Sequence, residues 1–158
     1  MNSAPQIKPA IYLWIISVAM LAFSGIGQMP IFKRYYLADI PGLGWSADPI
    51  ATHIVHYVSA GVFLTVCGWL ATMFILNYRH HWRLTMSGII RLAIIIAIII
   101  TGYMRVAKNL HSFHWSPIAT MLIDWTHLGL AALLGIVAIS CRTTGSKAWL
   151  EAKAETLN

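Results

Sequence analysis

A histidine inside an apolar helix can hold a metal, pass on a proton or satisfy a buried hydrogen bond, and each use needs a partner at a suitable spacing. Four ionisable side chains fall inside long apolar stretches of this 158-residue sequence: His53, His56, Asp124 and His127. Neutral imidazole offers iron a ring nitrogen, and a haem held between helices takes one such nitrogen from each side of its plane. His56 and His127 suit that geometry. Counted from the starts of their apolar blocks at about 1.5 Å per residue, they lie roughly 9 Å and roughly 14 Å deep, and the chain enters both blocks from the same side. His53 is an alternative ligand to His56, because three helical residues make less than one turn. Small residues follow each histidine, Ser59, Ala60 and Gly61 in one block and Gly129, Ala131 and Ala132 in the other. They leave room for a flat macrocycle and equally suit close packing of membrane helices.

Asp124 stands three residues before His127 and shares its helix face. It can orient that histidine, pair with a basic side chain such as Arg105, or carry protons, and the structural pairing ranks first. Three readings of the four residues stay open: a bis-histidine haem, a structural or proton-handling polar cluster, and another metal. The propionates of a haem would meet cations near the aqueous border. Lys33, Arg34, Arg105 and Lys108 occupy the loops on the side from which both histidine-bearing blocks start, and Arg105 is the favoured one. The remaining histidines, His80, His81, His111 and His114, fall between the blocks. His111 and His114 are candidates for contact with a partner or an entering haem. Tyr57, Tyr103, Trp69, Trp115 and Trp125 read as interfacial or packing aromatics. Cys67 and Cys141 read as small packing residues, not as a disulfide framework.

The elements that position these residues follow from composition. Only 10% of residues are charged and 58% are apolar, with a mean hydropathy of +0.69, whereas soluble domains carry roughly 25% charged residues. A bilayer crossing needs about 20 consecutive mostly apolar residues. Blocks at about 11–30, 50–77, 87–104 and 118–141 meet that need, so the expected fold is all-α, an integral membrane bundle of four transmembrane helices in a single domain over 1–158. The connections are a Pro-, Gly- and aromatic-rich segment (IFKRYYLADIPGLGWSADP), a short basic turn (YRHHWR), and RVAKNLHSFHWSP. No internal repeat stands out. The tail SKAWLEAKAETL has the composition of a short amphipathic surface helix.

The first block is expected to be a retained span, being full-length, preceded by Lys8 alone and lacking an A-x-A-like exit. With four spans, Lys8, Arg79, Arg83, Arg91, Arg142, Lys147 and Lys153 share one side, and Lys33, Arg34, Arg105 and Lys108 the other. The bias of Lys and Arg toward the cytoplasm then puts both termini inside. The net charge of +6 sits at membrane borders, where it meets anionic lipid, and nucleic acid binding is not supported.

FSGIGQMP closing the first block, THIVHYVSAGVF opening the second and DWTHLGLAALLGIVAIS in the fourth together resemble the four-helix cytochrome b membrane subunits of respiratory formate dehydrogenases, nickel-iron hydrogenases and thiosulfate reductases. The likeness of layout runs from about Ile11 to Cys141. It implies a haem b near the outer face with His56 and His127 as axial ligands. The family's second haem uses histidines early in the first helix and further along the fourth. Here those stretches read IYLWIISVAM and IVAIS, so one haem is implied, and the quinone site beside the inner haem is in question. The resemblance further implies an electron-transfer subunit of a larger oxidoreductase complex in a bacterial-type inner membrane. An iron-sulfur or cytochrome partner would dock on the outer side, membrane quinone would exchange electrons, and substrate catalysis would belong to partner subunits. The competing expectation is a non-redox scaffold or assembly subunit with a structural His/Asp network; a metal- or proton-handling transporter component is the third.

Overall fold

The structure, a computed structural model, describes residues 8–29, 37–110, 114–146 and 148–153. Lys33, Arg34, His111 and Lys147 lie outside the described residues. Four long helices dominate: α1 (Lys8–Gly27), α2 (Pro49–Met73), α3 (Met86–Ala107) and α4 (Pro117–Thr143). α2 continues through a π-helical turn, Phe74–Tyr78. Pro9–Gly27, Pro49–Tyr78, Met86–Ala107 and Pro117–Thr143 are each long and apolar enough to cross a bilayer. The fold is all-α and the chain is a multi-pass membrane protein. Large apolar side chains point outward along all four helices, among them Tyr12, Val58, Ile100 and Ile139. A helix apolar all round is stable in lipid, which such side chains contact.

Local chemistry explains where the helices begin. Pro49 and Pro117 occupy first-turn positions, where the missing N–H costs nothing. Asp48 Oδ1 accepts from the Ile50 amide at 2.9 Å and Ser116 Oγ from the Ala119 amide at 3.2 Å. Thr85 caps α3 by accepting from the Gly88 amide at 3.0 Å. The stretch Ile94–Ile100 is almost all isoleucine, a β-branched residue that favours strands in water. In hydrocarbon every backbone group must be satisfied within the segment, so the helix wins. α3 also extends further than the apolar run suggests: Arg105, expected in a loop, sits in its last turn. A cation there complements the helix dipole.

Two compact units, Met1–Tyr78 and Arg79–Asn158, divide the chain. In the first, α1 and α2 form an antiparallel hairpin. Ala10, Ser17 and Ser24 on α1 and Thr52, Ser59 and Val66 on α2 recur every seven residues and are all buried, the spacing of a close-packed helix seam. The Trp14 and Phe63 rings meet midway at 6.3 Å between centroids. In the second unit, α3 and α4 form another antiparallel hairpin, with Ile94, Ile95 and Ile123 buried. Cys67 on α2 and Cys141 on α4 are free thiols.

The tail departs from the expected surface helix. Leu150–Ala152 forms a strand, β2, paired antiparallel with β1 (Trp82–Leu84) from the basic turn, in the register Trp82↔Ala152, Arg83↔Glu151, Leu84↔Leu150. An isolated helix this short is marginal in water. The strand gains a paired backbone, an Arg83–Glu151 ion pair at 2.8 Å and a bond from the Thr85 amide to the Trp149 carbonyl at 3.0 Å.

The two hairpins are built from corresponding parts, although no repeat stands out in the sequence. Both second helices open with a capping residue followed by Pro-Ile-Ala-Thr, at Pro49–Thr52 and at Pro117–Thr120.

Candidate functional site

In the first hairpin, His56 lies in the third turn of α2 and faces the end of α1. Ser24 Oγ is 3.0 Å from His56 Nδ1 and 2.6 Å from the Met20 carbonyl. A carbonyl only accepts, so at 2.6 Å the single hydroxyl proton of Ser24 is committed to Met20. Ser24 therefore accepts from His56, whose Nδ1 carries the hydrogen. The lone pair of this imidazole is then on Nε2. Gly25 flanks the ring: a Cβ there would come 3.6 Å from His56 Cε1.

The second hairpin repeats this arrangement with different residues. Thr101 Oγ1 on α3 is 2.9 Å from His127 Nδ1 on α4, and it donates to the Ala97 carbonyl at 2.9 Å. With the Thr101 proton on the Ala97 carbonyl, His127 is an Nδ1–H imidazole with its lone pair on Nε2, although here the carbonyl and the ring nitrogen are equally distant from the hydroxyl. Gly102 lies closer than its counterpart, a Cβ there reaching 3.2 Å from His127 Cε1. A hydroxyl-glycine pair, Ser24-Gly25 or Thr101-Gly102, thus receives a histidine from the partner helix in each hairpin. This fixed tautomer is how proteins prepare a histidine to ligate metal through its other nitrogen.

His53 is placed differently. It is exposed, its Nδ1 donates to the Pro49 carbonyl of its own helix at 2.6 Å, and its ring stands edge-on to Tyr57. The geometry separates two residues that spacing leaves equivalent: α1 holds His56, whereas only α2 holds His53. Ala60 and Ala131 stand four residues past the two histidines and share their faces. Gly61 and Gly129 lie on other faces, in open space.

Asp124 is engaged by cations. Arg105 Nε donates to its Oδ1 at 2.7 Å and Lys108 Nζ to its Oδ2 at 3.2 Å. The trio carries a net charge of +1, one helical turn from His127. Arg105 and Lys108, expected to meet propionates, are both occupied by this carboxylate. Among the described residues no group of three or more His, Cys, Asp or Glu side chains could hold a metal ion.

Two features escape sequence reasoning. The hydroxyls of Ser24 and Thr101 are 32 and 26 residues from their histidines, and only the recurrence of Ser/Thr-Gly near the end of each first helix hints at them. Gln28, in the FSGIGQMP stretch, has a buried Nε2 with no hydrogen-bond partner among the described residues. It lies one turn past Ser24 on the same face.

No protein-family model matches the chain, and neither a curated protein nor a solved structure matches it.

Proposed function

We propose that this chain is a b-type cytochrome subunit of a membrane oxidoreductase, with one haem b ligated axially by His56 and His127. The observation that carries the reading is the pair of matched histidines, one per hairpin, each bonded through Nδ1 to a hydroxyl on the partner helix, as a second partner orients a metal-ligating imidazole. The donor set fits the group: two neutral imidazoles suit a haem iron, and the buried Gln28 amide suits an anionic propionate. The +1 cluster of Arg105, Lys108 and Asp124 adds favourable charge near His127.

Bound haem supplies one-electron chemistry, while the chain supplies ligands, orientation and a low dielectric. Ser24 and Thr101 hold the imidazoles in one tautomer. Gly25 and Gly102 let the helices approach close enough for those bonds to form. The subunit exchanges electrons between an iron-sulfur or cytochrome partner and membrane quinone, in a bacterial-type inner membrane with both termini cytoplasmic. Substrate chemistry resides in partner subunits.

The test is a reduced-minus-oxidised absorption spectrum of the purified protein with haem quantified per chain. One haem b per chain is expected. A folded, colourless protein overturns the reading and favours a non-redox scaffold or assembly subunit. That second reading draws on the same bonds, because Ser24–His56, Thr101–His127 and Arg105–Asp124–Lys108 also form closed polar networks that join helices without a cofactor.

A further inference from the structure

Arg91 lies in the second turn of α3, about 7.5 Å past the helix start, and is 6% exposed. A cation at such a place in a spanning helix needs polar groups around it, or it bends its long stem toward the headgroups to find them. The tail supplies part of that environment. Arg91 Nη2 donates to the Ala148 carbonyl at 3.1 Å, and the guanidinium sits 4.2 Å from the centre of the Trp149 ring. Its own helix adds the Ser87 carbonyl, 3.0 Å from Nε, and Ser87 Oγ, 3.1 Å from Nη2.

The same tail is tied to the start of α3 and to the turn before it. The Thr85 hydroxyl that caps α3 also donates to the Ala148 carbonyl at 2.8 Å, so one tail carbonyl serves both the cap and the arginine. The Thr85 amide donates to the Trp149 carbonyl at 3.0 Å, and the Lys153 amide to the His81 carbonyl at 2.9 Å. Lys153 Nζ donates to the Arg79 carbonyl at 2.7 Å. Gly88 makes room for this contact: a Cβ there would stand 2.5 Å from the Trp149 carbonyl oxygen, a backbone atom that cannot swing aside as a side-chain tip can. An arginine turned toward the headgroups gives up its bond to Ala148, so that orientation and the closed tail are alternatives.

We propose that residues 148–153 are a strap that sets the depth of α3 in the membrane. Closed, the strap holds Arg91 and the first two turns of α3 where these bonds place them. Open, it lets Arg91 turn to the headgroups, and the first turns of α3 shift with it. The inference does not rest on the haem.

The test uses the full chain in lipid nanodiscs, with two readouts. Hydrogen exchange at the Thr85 amide reports closure, because its acceptor is a tail carbonyl. Labelling of Ile90→Cys by a membrane-impermeant maleimide, in a chain carrying Cys67→Ala and Cys141→Ala, reports depth, since Ile90 is 48% exposed. Without further change, Thr85 should be protected and the introduced thiol slow to react. Alanine suits a helix better than glycine, so Gly88→Ala should act on the strap. It should speed Thr85 exchange roughly tenfold, the effect of one lost hydrogen bond, and thiol labelling should rise with it while amides 94–101 stay protected. Adding Arg91→Leu should return labelling to its starting rate and leave Thr85 unprotected, because the strap is open and no charge pulls. Fast Thr85 exchange in the wild type would overturn the proposal, as would unchanged exchange or labelling in Gly88→Ala. Failure of Arg91→Leu to reverse the labelling would overturn it too, and so would loss of protection across 94–101 in Gly88→Ala, which would make the tail a support of the whole helix.

Discussion

The two hairpins hold their histidines alike and surround them differently. In the first, His56 bonds to Ser24 within a seam of small and hydroxyl side chains that also holds Ser17, Thr52 and Ser59, and the buried Gln28 amide, one turn past Ser24, has no hydrogen-bond partner among the described residues. In the second, the seam is isoleucine, and the charge beside His127 is concentrated in Arg105, Asp124 and Lys108. What stays constant is an Nδ1–H donated to a backbone-anchored hydroxyl, beside a glycine that admits the ring. The shared unit is the preparation of an imidazole; the local electrostatics belong to each hairpin separately.

The largest effect should come from removing either histidine. His56→Ala and His127→Ala should each abolish the haem absorption band while the chain still inserts into membranes, and full haem content in either variant would break the pairing. Next come the glycines, where the hairpins should part. Gly102→Ala brings a methyl to 3.2 Å from a ring already bonded to Thr101, so it should destabilise by about 1–2 kcal/mol in detergent unfolding. Gly25→Ala meets ordinary contact at 3.6 Å and should be neutral or slightly stabilising. Equal losses at both positions would show that the difference in spacing has no energetic meaning.

Ser24→Ala and Thr101→Val should each cost about 1 kcal/mol, the worth of one hydrogen bond. Each should also alter the ring-nitrogen chemical shifts of the facing histidine in nitrogen-15 spectra of the haem-free protein. Shifts identical to wild type would refute the assigned tautomer. Ser24→Thr and Thr101→Ser should restore the wild-type pattern. The smallest effect is expected from Asp124→Asn, at most about 1 kcal/mol, because the carboxylate is 34% exposed and solvent screens its pairs. A larger loss of His127 function would mean that the ion cluster also supports the histidine.

The spans were legible because transmembrane length and apolarity are properties of contiguous sequence, and the caps at Asp48, Thr85 and Ser116 are local signals. The pairing of Asp124 with Arg105, ranked first from residue types, is present. Other features depend on the folded chain. Nothing adjacent to His56 announces Ser24, since their contact exists only after two helices pack. His53 and His56 differ through what faces them, which spacing does not encode. The WLEA segment reads as amphipathic helix until a partner strand 68 positions earlier competes for its backbone.

The ribbon of β1 and β2 also has a consequence for the order of biosynthesis. Ser87 and Arg91 take hydrogen-bond partners from residues synthesised 57 to 61 positions later. The third span is therefore synthesised before the tail carbonyls that hold its Ser87 and Arg91, while the Ser87 carbonyl of the same helix is the partner already present. The ribbon then acts as a clasp that can close only once the tail has been made. A chain cut before Ala148 should insert its third span and still fail quality control.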